Sequence, residues 1–159
     1  MENASKALLM AAGVLIGLLI LSLAVYLFVT FGATSAEMHK EIETNRLAEF
    51  NNQFTRYMEK EDITIYDVIT IANLATDNNK YYQLSKRVNS SLRSDNYIKV
   101  IYDGRSIEFG IDNDNEEIIN YYNEIIKNDL NNQNTNRYKC EIEINNYTGK
   151  VWKVIFNNR

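Results

Sequence analysis

Side-chain chemistry needs convergent groups, and this chain offers few candidates in few places. The single histidine, His39, stands beside Lys40 and Glu41 in a stretch of helical composition. A general base needs an orienting partner and a pocket, so His39 reads as a solvated helix residue. One histidine also excludes a His-based zinc site unless carboxylates supply the other ligands. The single cysteine, Cys140, cannot form an internal disulfide or a thiolate metal cluster. It falls in the alternating run Tyr138, Cys140, Ile142, Ile144, which predicts a buried thiol acting as a small hydrophobe.

The densest set of oxygen ligands is Asp112-Asn113-Asp114-Asn115-Glu116-Glu117. Calcium loops begin with alternating acids, but the glycine such a loop needs at position 6 is missing, and Asn123 stands where the closing glutamate belongs. The run therefore reads as an acid-rich helix N-terminus, which complements the helix dipole. Lys86, Arg87 and Arg93 make a small basic patch of the kind a solvated surface carries. With a formal net charge of −4 there is no electrostatic reason to expect nucleic acid as a partner. No Gly-x-Ser-x-Gly elbow, P-loop or dinucleotide fingerprint is present. The expectation is a protein without catalytic residues, cofactor or metal. The spacing with most meaning is Gly13-Val14-Leu15-Ile16-Gly17, continued on roughly the same face by Ala24. Small residues one turn apart let a second helix approach closely in lipid.

Those glycines lie in the segment that dominates the sequence. From Ala7 to Phe31 no residue carries a charge. The stretch exceeds the about 20 residues that span a bilayer core and the about 7–15 of a signal-peptide apolar region. A retained transmembrane helix is expected rather than a cleaved signal with Thr34-Ser35-Ala36 as its cleavage site. Membrane lipid is thus the first expected partner, with self-association or other membrane subunits through the Gly13/Gly17/Ala24 face.

The elements that follow are read from period and turn chemistry. Leu47, Phe50, Phe54 and Tyr57 form one stripe of an amphipathic helix over 33–60. Thr64 and Asp67 fit a capping box opening a helix with an Ile65, Val68, Ile69, Ala72 face, ending near Asn78-Asn79. Lys80 to Asn96 is ambiguous between helix and loop. Asp103-Gly104 between β-prone runs predicts a type I′ hairpin over 97–111. Ile107, Phe109 and Ile111 are its buried side, alternating with Ser106, Glu108 and Gly110. Asp114 with Glu117 opens a third helix whose apolar side is Ile118, Ile119, Tyr122, Ile125 and Ile126. A second hairpin over 137–156 turns through Asn146-Tyr147-Thr148-Gly149, with Lys139, Glu141 and Glu143 facing out. The architecture expected is α+β: a tail and transmembrane helix over 1–32, an amphipathic extension over 33–60, and a soluble domain over 61–159 with a four-stranded antiparallel sheet of two hairpins and packed helices.

The run from Met1 to Gly13, followed by Phe50-Asn51-Asn52-Gln53-Phe54 and Tyr57, resembles small uncharacterised single-pass, pilin-like membrane proteins of anaerobic Firmicutes. That resemblance implies a membrane-anchored structural or interaction protein displaying its α+β head outside the cell. The alternative is a membrane-tethered binding module, or an accessory or sensor subunit of a membrane complex. Type IV pilins place a glutamate five residues after the processing glycine; here the fifth residue after Gly13 is Leu18, so prepilin processing is not implied. Counting Lys6 and the α-amino group against Lys40 and Arg46, the positive-inside rule does not favour an exterior head. That orientation rests on the resemblance.

Overall fold

The computed structural model describes residues 2–89, 95–131 and 137–158. The chain divides into two compact units, Met1–Arg46 and Leu47–Arg159. Helix α1 runs without a break over Glu2–Thr55. In the first unit every described residue is exposed except Ala24, which is half-buried. The apolar part of this helix is long enough to cross a membrane once. Gly32 does not interrupt it, in line with a helix-interior glycine costing only about 1 kcal/mol.

In the second unit the last turns of α1 belong to the head. Phe54 and Tyr57 are buried and Phe50 packs against them, as the 3–4 spacing predicts, although α1 stops at Thr55 rather than reaching residue 60. Helix α2 spans Ile65–Tyr81. The Asp67 carboxylate accepts from the Thr64 backbone N–H at 2.9 Å and from Lys60 Nζ at 2.8 Å, closing its first turn. It ends two residues beyond the Asn78-Asn79 pair, and Gln83 just after it adopts a left-handed φ of 55°. A single short turn, α3 (Lys86–Asn89), follows. Strands β1 (Lys99–Tyr102) and β2 (Arg105–Ser106) form the first hairpin. Asp103 and Gly104 have φ of 49° and 71°, the two positive values a type I′ turn demands. Helix α4 covers Asn115–Asn131, and Asp114 Oδ1 accepts from the Glu117 N–H at 2.7 Å as its N-cap. Strands β3 (Tyr138–Ile144) and β4 (Val151–Asn158) form the second hairpin.

Two expectations about the sheet are corrected. Its order is β2-β1-β4-β3, and the central pair β1·β4 is parallel, so the sheet is mixed rather than antiparallel. The reason is the direction of α4. Its 17 residues rise about 1.5 Å each, roughly 25 Å in all, and carry the chain from one end of the sheet back to the other. Strands β2 and β3, at its two ends, must then run the same way. Since each is antiparallel to its hairpin partner, β1 and β4 become parallel, with α4 inside the long crossover such a pair requires. The second correction is that β2 ends at Ser106, and Ile107, Glu108, Phe109 and Gly110 are all buried instead of alternating. Side chains replace the missing ladder. Glu108 Oε2 accepts from the Val100 N–H at 2.8 Å, and its other oxygen accepts from the Tyr97 hydroxyl at 2.9 Å. Thr76 Oγ1 accepts from the Phe109 N–H at 3.0 Å. Asn79 donates to the carbonyls of Ile98 at 3.0 Å and Phe109 at 3.3 Å, and accepts from the Ile98 N–H at 2.8 Å.

The face of the sheet carrying Val100, Val154, Phe156 and Cys140 packs under the helices in one core. The opposite face shows Lys139, Glu141 and Glu143 to solvent, as expected. Ile119 is corrected: it is 58% exposed and does not belong to the apolar side of α4. Ile111 is likewise exposed.

Gly110 supplies a stringent test of this packing. A Cβ there would stand 2.6 Å from the Lys86 nitrogen and closer still to the Leu84 carbonyl oxygen, both backbone atoms. Gly110→Ala is expected to destabilise the head by about 2–4 kcal/mol, in the range of overpacked cores. Gly104→Asn, at a position with open space and a φ that Asn tolerates, should cost under about 1 kcal/mol. Urea unfolding of the full chain in micelles, followed by Trp152 fluorescence, separates the two.

Candidate functional site

The apolar stripe of α4 is interrupted in a telling way. Ile118, Tyr122 and Ile125 recur at helical spacing, and the next position on that face is Asp129. The residue is buried, at 8% exposure. From the sheet, Tyr102 at the end of β1 and Tyr138 at the start of β3 reach the same spot. The Tyr138 hydroxyl donates to Asp129 Oδ1. The Tyr102 hydroxyl lies 2.9 Å from that of Tyr138 and 3.4 Å from Asp129 Oδ1. Both phenols thus point at Asp129 Oδ1, and the three groups form one hydrogen-bonded relay on that carboxylate. The two rings meet edge to face with centroids 5.2 Å apart, a favoured aromatic geometry.

These groups line a cleft of about 220 Å³. Tyr121, Glu124 and Asn128 extend its α4 wall, Asp103 and Arg105 come from the β1–β2 turn, and Phe156 forms its floor. The cleft opens beyond the carboxyl ends of the parallel strands β1 and β4, where ligands bind in open α/β sheets. None of its charged side chains makes an ion pair among the described residues.

Electrostatics keep the phenols neutral. Burial raises the Tyr138 hydroxyl well above the ordinary tyrosine value, and its hydrogen bonds to Asp129 and Tyr102 raise it further. Burial raises Tyr102 as well, its hydrogen bond to Tyr138 pulls it back, and the nearby Asp129 charge adds to the rise. Both therefore serve as hydrogen-bond donors at physiological pH. Burial also pushes the Cys140 thiol up to about 12, with the Glu141 charge adding to it. The thiol is protonated and inert, as its place in the alternating run predicts.

The residues singled out in the sequence lie elsewhere. Gly13, Gly17 and Ala24 sit on α1 in the first unit, and a Cβ at either glycine would meet nothing within 4 Å. His39 is exposed on the same helix. Asp112, from the acid-rich run, accepts from the Lys86 N–H at 2.9 Å and from Ser85 Oγ at 3.1 Å, so it holds α3 in place. Desolvation raises its pKa, but those hydrogen bonds outweigh it and the net shift is downward. No group of three metal-ligating side chains occurs among the described residues. Of the basic patch, Lys86 is held by the Ser106 carbonyl at 3.0 Å and lies 4.5 Å above the Phe109 ring, while Arg87 is free to solvent apart from a 3.9 Å approach to Asp112. Arg93 lies outside the described residues, as does most of the polar loop over 131–136. The Tyr102–Tyr138–Asp129 relay is a group that residue-by-residue inspection passes over, since two members look like ordinary strand tyrosines. The readable signal was the acid on the apolar stripe of α4.

No family model, no curated protein and no solved structure matches the chain.

The raised tyrosines make a prediction about alkaline stability. A phenol whose folded pKa exceeds its unfolded value near 10 stabilises fully below that value, and the contribution is lost as pH rises beyond it. Stability of the full chain in micelles should be level through neutral pH and fall above about pH 10. In Tyr138→Phe the fall should be shallower. The same variant should lose about 1–3 kcal/mol at pH 7, because it strips Asp129 of its buried donor. Urea midpoints measured from pH 7 upward check both.

Proposed function

We propose that this chain is a membrane-anchored, pilin-like interaction protein that displays its α+β head outside the cell. The carrying observation is α1. Its apolar part is exposed on every side in the first unit, and an apolar surface of that extent needs lipid or another helix to cover it. The last turns of the same helix supply Phe50 and Phe54 to the core of the head. In this reading α1 packs in the bilayer against a second copy or another assembly subunit through the face of Gly13, Gly17 and Ala24, whose small residues favour a close approach. The head acts by contact and not by catalysis. Its cleft phenols are held neutral and its thiol is buried, which leaves hydrogen bonding and surface complementarity as what it offers.

A second reading, a membrane-tethered binding module or accessory subunit of a membrane complex, is favoured by one observation. The Tyr102–Tyr138–Asp129 cleft is a concave site with convergent polar groups, the form small-ligand sites take.

Protease digestion of a C-terminally tagged protein on intact cells tests the display reading. Loss of the tag without lysis, from a full-length anchored band, is the expected result; protection until lysis puts the head in the cytoplasm and removes the surface role. Gly13→Ile and Gly17→Ile are expected to reduce cross-linked dimer in membranes several-fold, by a loss of about 1–2 kcal/mol of helix association. Unchanged cross-linking would remove that face as the contact.

A further inference from the structure

We propose that the cleft between α4 and the ends of β1 and β4 is a binding site for a small organic cation, an alkylammonium or guanidinium group. The inference deepens the binding-module reading by giving the ligand a chemical class.

Three features of the cleft point to it. The first is the state of Asp129. The residue is buried at the cleft wall. Oδ1 takes the Tyr138 and Tyr102 hydroxyls, whereas among the described residues Oδ2 receives no hydrogen bond and Asp129 makes no ion pair. Asp129 lines the cleft, so this oxygen is open to a donor from a ligand. A ligand cation supplies that donor, and the Tyr102–Tyr138 relay leaves Oδ2 for it.

The second is the balance of charge. Asp103, Glu124 and Asp129 line the cleft against Arg105 alone. Carboxylates of one sign around a concave, low-dielectric wall focus the field and draw in cations. An anionic ligand would meet three acids for one arginine.

The third is the wall itself. Tyr102, Tyr121, Tyr138 and Phe156 surround the space. Aromatic faces attract ammonium and guanidinium groups by their quadrupole, more strongly once water is excluded. Dehydration is tolerated by an alkyl-substituted cation but resisted by a bare metal ion, and no set of three metal ligands is present among the described residues. The volume of about 220 Å³ is below the roughly 300–1,000 Å³ of sites for drug-sized ligands. It suits one side chain or one small amine.

The test uses the full chain in micelles of a neutral detergent, titrated calorimetrically with butylammonium chloride and, as its uncharged counterpart, with 1-butanol. Saturable binding of butylammonium that weakens as sodium chloride is added, with no saturable binding of butanol, is the expected result. Equal binding of both, or none of either, overturns the proposal. N-acetyl-lysine N-methylamide forms a second arm. Binding as tight as butylammonium assigns the cation to a peptide side chain, and much weaker binding assigns it to a free amine; both outcomes support a cation site.

Variants give a sign that a structural role would not produce. Arg105→Ala removes the one opposing charge and should tighten butylammonium binding about threefold, whereas Glu124→Gln should weaken it by a similar factor. Asp129→Asn, nearly isosteric, should weaken it about tenfold or more. If Asp129→Asn fails to fold by circular dichroism, the opposite signs at Arg105 and Glu124, both exposed, decide alone. Loss of binding in Arg105→Ala would reverse the polarity of the site and overturn the proposal. The measurement in micelles is independent of which side of the membrane the head occupies. Failure here therefore leaves the display reading standing, and failure of the protease test leaves the cation site standing.

Discussion

One buried carboxamide holds the head together. From α2, Asn79 reaches across the layer and satisfies three backbone groups, two on Ile98 and one on Phe109. Its neighbour one turn back, Thr76, satisfies a fourth, the Phe109 N–H. The chain needs this because β2 stops after Ser106 while the next four residues are sealed in the core. Buried main-chain groups without partners each cost on the order of 1–3 kcal/mol. Glu108 completes the arrangement by giving the Val100 N–H the acceptor that a longer β2 would have provided. The helix layer and the sheet are thus joined by directional bonds as well as by apolar packing. That fixes where β1 lies beneath α2 and, through β1, the order of the sheet.

The second constraint is directional. A helix returns the chain to the end of the sheet from which it set out, so α4 makes the strands on either side of it run the same way and forces the central pair to be parallel. The cleft is a by-product of this crossover. With β1 and β4 parallel, Tyr102 and Phe156 emerge at the same end, and the second half of α4 lies over them with Asp129 turned inward. An antiparallel pairing of the two hairpins would have put those side chains at opposite ends of the sheet, and no relay would form.

The two units place different demands on their surroundings. The first carries an exposed apolar stretch long enough to cross a membrane once. The second is a self-sufficient head with its own core, whose singular feature is a neutral phenol relay backed by a buried acid. In the function proposed above they make a tethered recognition element, in which the anchor limits where the head works and the cleft limits what it engages. The tyrosines suit that task, because a rigid ring with a neutral hydroxyl offers both an aromatic face and a directed donor.

Much of this was legible along the chain because it depends on near neighbours. The apolar run, the Thr64/Asp67 closure, the Asp114 cap, the Asp103-Gly104 turn and the burial of Phe54 and Cys140 are set by backbone geometry within a few residues and by the period of side-chain burial. A different class of fact needed the folded chain. The parallel β1·β4 pair, the early end of β2, the exposure of Ile119 and the inward turn of Asp129 depend on which elements meet across the core. Alternation shows that a strand has a buried face but not which edge it pairs with, and a carboxylate on an apolar stripe is the same letter whether it caps, frays or binds. Local chemistry determined the elements and the apolar helix; the sheet order and the cleft were decided only when α4 crossed over the sheet and brought Tyr102, Tyr138 and Asp129 within reach of one another.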